Sequence, residues 1–164
     1  MGSIIAMDFA LRYPARVEAL VLIAASAKLN LTPERLAGLK AVAIGRAAQA
    51  FTNDGFARAT VEKHFEVVRE SWMEQVKTDP RVRYTDLLAC AAADLRDALG
   101  AIVVPTLVLA GAEDQVTTPA DADDLASRIR GARVRIVDDT AHNAPIERPH
   151  EVNAAIDEFL KELG

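Results

Sequence analysis

One cysteine in 164 residues, no surplus of basic charge and no membrane-length apolar run set the first limits on this chain. Cys90 alone cannot close an intrachain disulfide, and no Cys/His spacing suggests a structural zinc site. Nothing therefore asks for an oxidising compartment, and the expectation is cytoplasmic. Lys and Arg number 19 against 24 Asp and Glu, a net charge of -5 without a basic stripe, which argues against binding to a nucleic-acid backbone. The opening Met1 to Ala6 has no basic region ahead of its apolar stretch, and Asp8 interrupts that stretch, so neither a signal peptide nor an anchor is expected. Ala6 stands where N-myristoylation wants Ser or Thr. No internal repeat or low-complexity tract is present. With 51% hydrophobic and 26% charged residues, the composition is that of one ordinary globular domain.

Periodicity supplies the elements. Ile5, Phe9 and Tyr13 recur at helical spacing until Pro14, predicting an opening helix. The run Ala19 to Ala24 is continuously apolar, as in a parallel strand buried on both faces. From Ser26 to Gly100 the pattern is helical, with Thr32-Pro33 as a cap and first position, another start near Asn53-Asp54 and a break at Asp79-Pro80. Val103 to Ala110 reads as a second strand ended by Gly111. A helix follows from Thr118-Pro119 to Gly131, with Ala122, Leu125, Ala126 and Ile129 on one face. Arg133 to Asp138 alternates in part, predicting a third strand at a sheet edge, and the last helix follows Pro149 with Val152, Ala155, Ile156, Phe159 and Leu160 as its stripe.

This layout does not close on itself. An opening helix in an α/β protein arrives as a crossover from an earlier parallel strand, and the first strand is too apolar to be left with one bare edge. The expectation is the carboxyl-terminal part of a larger open sheet.

In such sheets, chemistry sits in the loops beyond the carboxyl ends of the strands. Two loops qualify: Gly111-Ala112-Glu113-Asp114, and Asp139-Thr140-Ala141-His142-Asn143. Asp114 and His142 are 28 residues apart, one loop, one helix and one strand, so parallel strands about 4.8 Å apart would bring the two tips together. A carboxylate accepting the Nδ1 proton fixes the tautomer of an imidazole acting as general base. A structural loop pair is the competing reading.

Gly111-Ala112-Glu113-Asp114-Gln115-Val116-Thr117-Thr118-Pro119 and Ala141-His142-Asn143-Ala144-Pro145-Ile146-Glu147-Arg148-Pro149 resemble the acid and histidine loops of α/β-hydrolases, especially the esterase and enol-lactonase branch. Met1 to Pro14 resembles the helix after that family's nucleophile elbow. The family commonly has Gly where Ala141 stands. The resemblance implies a partial α/β-hydrolase fold: about three parallel strands with flanking helices and a helical cap insertion. Residues 1–26 would be the post-nucleophile helix and first core strand, 27–100 the cap, and 101–164 the core with both loops. Asp114 and His142 would be catalytic, with no cofactor and no metal, and the substrate a small-molecule ester or lactone. In the G-x-S-x-G elbow the nucleophile would directly precede Met1; Met-Gly after it points to serine. It is not among these residues, so the isolated chain is expected to be inactive.

Other candidates read as structural. Ser3 would cap the first turn, Cys90 would pack as a small hydrophobe, His64 lies in a charged helical run and His150 opens the last helix. Glu113 neighbours the acid, and Glu147 would hold its loop through Arg148 or backbone amides. Phe51, Phe56, Phe65, Trp72 and Tyr84 supply apolar bulk to the cap, where packing serves as well as substrate contact. The alternative function is a non-catalytic module that forms a homodimer or binds a partner through its bare strand edge.

Overall fold

The structure, a computed structural model, describes residues 1–164. Helix α1 (Gly2–Arg12) leads through a 3₁₀ turn at Pro14–Arg16 into strand β1 (Leu20–Ile23). Four helices follow: α2 (Pro33–Ala43), α3 (Arg58–Lys63), α4 (Phe65–Lys77) and α5 (Pro80–Ala92). Strand β2 (Thr106–Gly111), helix α6 (Pro119–Arg128), strand β3 (Arg133–Val137), the short helix α7 (Ala144–Glu147) and helix α8 (Pro149–Lys161) complete the chain. The strands form one sheet in the order β1-β2-β3, both pairings parallel, with Leu22 opposite Val108 and Leu109 opposite Arg135.

Alternation along the strands divides the core between two faces. Leu20, Leu22, Val108 and Ala110 meet Met7 and Ala10 of α1 and Ala122 and Leu125 of α6. Leu107, Leu109 and Val137 meet Val152, Ala155 and Phe159 of α8, with Val21 and Ile23 packed against them. The result is a three-layer α/β/α arrangement. Every residue of β2 is buried, as its continuous apolar run requires. In β1 only Leu20 and Leu22 are buried and Val21 and Ile23 are half-buried, because β1 has a strand on one side alone. The exposed residues of β3 fit the expected edge.

The opening helix forms as its spacing predicts, and two other sequence expectations need correction. The Ile5, Phe9 and Tyr13 stripe of α1 faces outward and is exposed; the inward face carries the buried Met7 and Ala10, with Ile4 and Leu11 partly buried beside them. Ser3 makes no capping hydrogen bond, and Met1 occupies the cap position. The helix expected near Asn53-Asp54 begins later, at Arg58, after a turn in which the Phe56 amide bonds to the Asn53 carbonyl. Thr32, Asp79 and Thr118 do cap α2, α5 and α6, each followed by proline. No helix is long and apolar enough to cross a membrane.

Candidate functional site

The acid loop is built from the end of β2 outward. Asp114 returns its amide to the Gly111 carbonyl at 3.2 Å, and its Oδ1 accepts the amides of Val116 at 2.7 Å and Thr117 at 3.0 Å. That is the local turn chemistry an Asp favours. Oδ2 accepts the Thr117 hydroxyl at 2.8 Å and faces His142 Nδ1 at 3.0 Å. Immediately afterwards Thr118 and Asp121 form a capping box on α6, which anchors the loop from its far side. Burial alone would raise the Asp114 carboxyl, but the His142 hydrogen bond, the Thr117 amide, the charge of His142 and the Val116 amide together hold it below its ordinary value.

The histidine loop arrives from β3. Asp139 turns the chain in the left-handed region at φ 52°, which Asp tolerates, and the Thr140 hydroxyl donates to the Val137 carbonyl at 3.0 Å. Gly111 lets the two loops meet: a Cβ there would stand 2.3 Å from the Ala141 carbonyl oxygen and 2.6 Å from that of Thr140. Ala141 itself is not in the left-handed region, so its methyl group costs no backbone strain where the family commonly has Gly.

Asp114 and His142 are therefore brought together as the spacing predicts. The Asp114 side chain is 0% exposed and the His142 ring 35%. With an ionised carboxylate at Nδ1, that nitrogen carries the proton and donates, leaving Nε2 as a free acceptor. The ring borders an open cleft of about 360 Å³ lined by Met1, Gly2, Ser3, Ile23, Ala24 and Ile146. A smaller cleft of about 90 Å³, which shares Met1, Ser3, Ala24 and His142 with the first, is walled by Ile4, Leu29, Leu87 and Val116. The amino-terminal end of α1 thus opens beside His142, presenting the positive end of a helix dipole to the cleft. Ala24, at the carboxyl end of β1, borders both clefts with φ 49°, held there as its amide donates to the Leu109 carbonyl at 2.9 Å.

The remaining candidates lie elsewhere. His64 is exposed and sits 3.4 Å from Glu66, His150 is on the exposed surface of α8, and Cys90 is buried in α5. Phe51 meets Trp72 at a tilt and Phe65 meets it edge-to-face, and Phe56 is buried. No group of three or more His, Cys, Asp or Glu side chains is gathered as metal ligands would be.

What the sequence did not announce is how the helical segment is fastened to these loops. Glu147 Oε1 accepts the Ala141 amide at 2.9 Å, while Oε2 accepts the Ala57 amide and the Thr60 hydroxyl, each at 2.7 Å. Of the two expected routes, Glu147 thus holds its loop through a backbone amide, while the Arg148 side chain pairs with Asp139 at 3.6 Å and donates to the Glu147 backbone carbonyl at 3.0 Å. Glu113 accepts the Arg58 amide at 2.9 Å, and Asn143 sends its side-chain amide to the Gly55 carbonyl at 2.7 Å. The partners that join the helical segment to the two loops are 55 to 90 residues apart, so no local pattern marks them.

A family model described as serine aminopeptidase, S33, matches residues 1–149. A pimeloyl-[acyl-carrier protein] methyl ester esterase of Neisseria meningitidis is 28% identical over 95% of this chain. The 3-oxoadipate enol-lactonase 2 of Acinetobacter baylyi is 27% identical over 100% of it. Among solved structures, a thermophilic esterase from Thermogutta terrifontis superposes with a TM-score of 0.86, at 26% identity, covering 99% of this chain and 62% of its own. The chain spans 64% of the length of the Neisseria esterase and 62% of the Acinetobacter lactonase.

Proposed function

The chain belongs to the serine aminopeptidase S33 family of α/β hydrolases, and from that premise we propose that it carries the acid and base of a Ser-His-Asp hydrolase acting on carboxylic ester or lactone bonds. One observation carries the reading: His142 Nδ1 is 3.0 Å from a carboxylate that is itself sealed from solvent, while the ring opens onto a cleft. Residues 1–26 and 101–164 serve as core in this reading, and residues 27–100 as a cap over the cleft. The names of the esterase and lactonase relatives support the choice of bond.

His142 Nε2 takes the proton of a serine hydroxyl as the hydroxyl oxygen attacks the ester carbonyl. Asp114 holds the tautomer and stabilises the imidazolium. The imidazolium then protonates the departing alkoxide, and the neutral ring activates water to hydrolyse the acyl-enzyme. The dipole of α1 favours negative charge developing beside its first turn. No G-x-S-x-G stands in these 164 residues, so the nucleophile comes from outside them, and the chain alone is expected not to turn over activated esters. Turnover by the purified chain that disappears in His142→Ala would overturn that expectation.

The function itself is tested by expressing the chain behind an in-frame segment that ends in G-x-S before Met1. Ester hydrolysis should appear, and His142→Ala should lower kcat by roughly 10³-fold or more. Hydrolysis untouched by both His142→Ala and Asp114→Asn would sink the reading.

A second reading is favoured by the free edge of β1 and the exposed Ile5, Phe9 and Tyr13 of α1: a module that pairs with a copy of itself or a partner through that edge. A discrete dimer on size exclusion, lost when Val21→Pro removes a backbone donor from the free edge of β1, would support it. A monomer would refute the homodimer.

A further inference from the structure

We propose that Glu147 is a positioning residue that couples the helical segment to the histidine, so that the ring of His142 keeps its catalytic orientation only while α3 is docked. The inference rests on reading His142 as the base, and it assigns to Glu147 a role distinct from both acid and base.

The geometry is a carboxylate shared between two parts of the chain. Oε1 accepts the amide of Ala141, the residue directly before His142, and Oε2 accepts the Ala57 amide and the Thr60 hydroxyl from the start of α3. Glu147 is buried, as are Ala57, Thr60 and Ala141. Departure of α3 would strip Oε2 of both partners in a site closed to water, where an unsatisfied carboxylate is costly. The carboxylate must then move to find replacements, and Oε1 moves with it, releasing the amide that fixes the backbone beside His142. Asn143, directly after His142, is tied to the same segment: its backbone and side-chain nitrogens both donate to the Gly55 carbonyl, at 3.2 and 2.7 Å. The histidine is thus gripped on both sides by residues that answer to residues 55–60. Asp114 is tied less closely: its own partners lie in its loop and in His142, and only Glu113, directly before it, reaches the segment, by accepting the Arg58 amide at 2.9 Å.

The test reads the ring and needs no turnover. The uniformly ¹⁵N-labelled chain is studied by long-range imidazole NMR, with His64→Gln and His150→Gln assigning the signals, and by amide exchange. Thr60→Val keeps the volume and removes the hydroxyl donor, and Thr60→Ser restores it. The expected result is a shift of the His142 ring nitrogens and about tenfold faster exchange of the Ala141 amide in Thr60→Val, with wild-type behaviour in Thr60→Ser. Glu147→Gln should show the same changes. If Thr60→Val alters the amides of residues 57–63 while the His142 ring and the Ala141 amide stay as in the wild type, the coupling is refuted and Glu147 is only an anchor for α3. Should Glu147→Gln fail to fold, the two Thr60 variants still decide the matter. Failure of the hydrolysis assays would remove the catalytic reading but leave this physical coupling intact.

Discussion

Between Thr106 and Lys161 the strands and the longer helices all send side chains into the buried cores on the two faces of the sheet: all of β2, Ala122 and Leu125 of α6, Val137 of β3, and Val152, Ala155 and Phe159 of α8. Between Pro33 and Ala92 the chain is slightly longer, yet α2 buries nothing, α4 buries only Val68 and α5 only Cys90. The exposed surfaces of this second region include Phe65, Met73, Val76, Val82 and Leu88. The first region is held by its own apolar packing. The second is fastened at one end, by Glu113, Asn143 and Glu147, to the loops that carry the candidate acid and base. Segments with little apolar burial open first in native-state fluctuations, so the less stable region here is also the one that grips the histidine loop.

The largest effect should separate the two regions most clearly. Phe159→Ala removes a buried ring that packs on α8's face of the sheet and carries Arg133 over it at 5.1 Å. It should cost about 3–5 kcal/mol, read from the urea midpoint at unchanged m-value. Val68→Ala, in the helical region, should cost about 1–2 kcal/mol less than that and act locally, with amides of residues 58–77 exchanging faster while β2 stays protected. Equal losses with simultaneous exchange of both regions would break the comparison.

Next in size is Gly111→Ala. Its methyl group would lie within 2.3 Å of the Ala141 carbonyl oxygen, a backbone atom that has to move for the variant to fold. The expected cost is about 1–3 kcal/mol, with the His142–Asp114 hydrogen bond disturbed as well. Unchanged stability and an unchanged His142 ring signal would mean that the loops have slack the close approach denies them.

The sequence foretold the part of this architecture that rests on period and punctuation. The three strands, the α6 cap and the edge character of β3 all appear as alternation, apolar runs or Thr-Pro signals, and the pairing of Asp114 with His142 follows from strand adjacency. Other features have no local signature. The buried face of α1 is carried by Met7 and Ala10, whereas Ile5, Phe9 and Tyr13 point outward. Helix α7, only four residues long, offers too short a window for any period to show. The bonds of Glu147 to Ala57 and Thr60 join residues 87 to 90 positions apart, and only tertiary structure brings such partners together.

Acid should act on the core loop before it reaches general unfolding. Asp114 is held below its ordinary value in the folded chain, so its contribution to stability is present above the unfolded carboxyl range and is lost as pH falls through the folded value. The urea midpoint of the wild type should therefore fall below pH 4 more steeply than that of Asp114→Asn, which has nothing to titrate there. Parallel acid limbs in the two proteins would mean that the hydrogen bonds to Asp114 contribute no net stability.

The smallest effect belongs to the helical region and sharpens the contrast from its side. Asp79 caps α5 by accepting the Arg81 amide at 2.9 Å, and the Arg81 side chain, followed by that amide, holds its carboxyl down at about 2. The group is exposed, so screening by salt leaves it little influence on global stability. Its pKa is lowered, so whatever it contributes is present above the ordinary carboxyl range and disappears as pH drops through about 2. Far-ultraviolet circular dichroism should show a small loss of helix in Asp79→Ala at neutral pH that the wild type reaches only near pH 2, while the urea midpoint of the core transition stays at its wild-type value. A core transition that moves with this cap would show that α5 and the sheet unfold as one, and the helical segment would then have no separate opening through which to release the histidine loop.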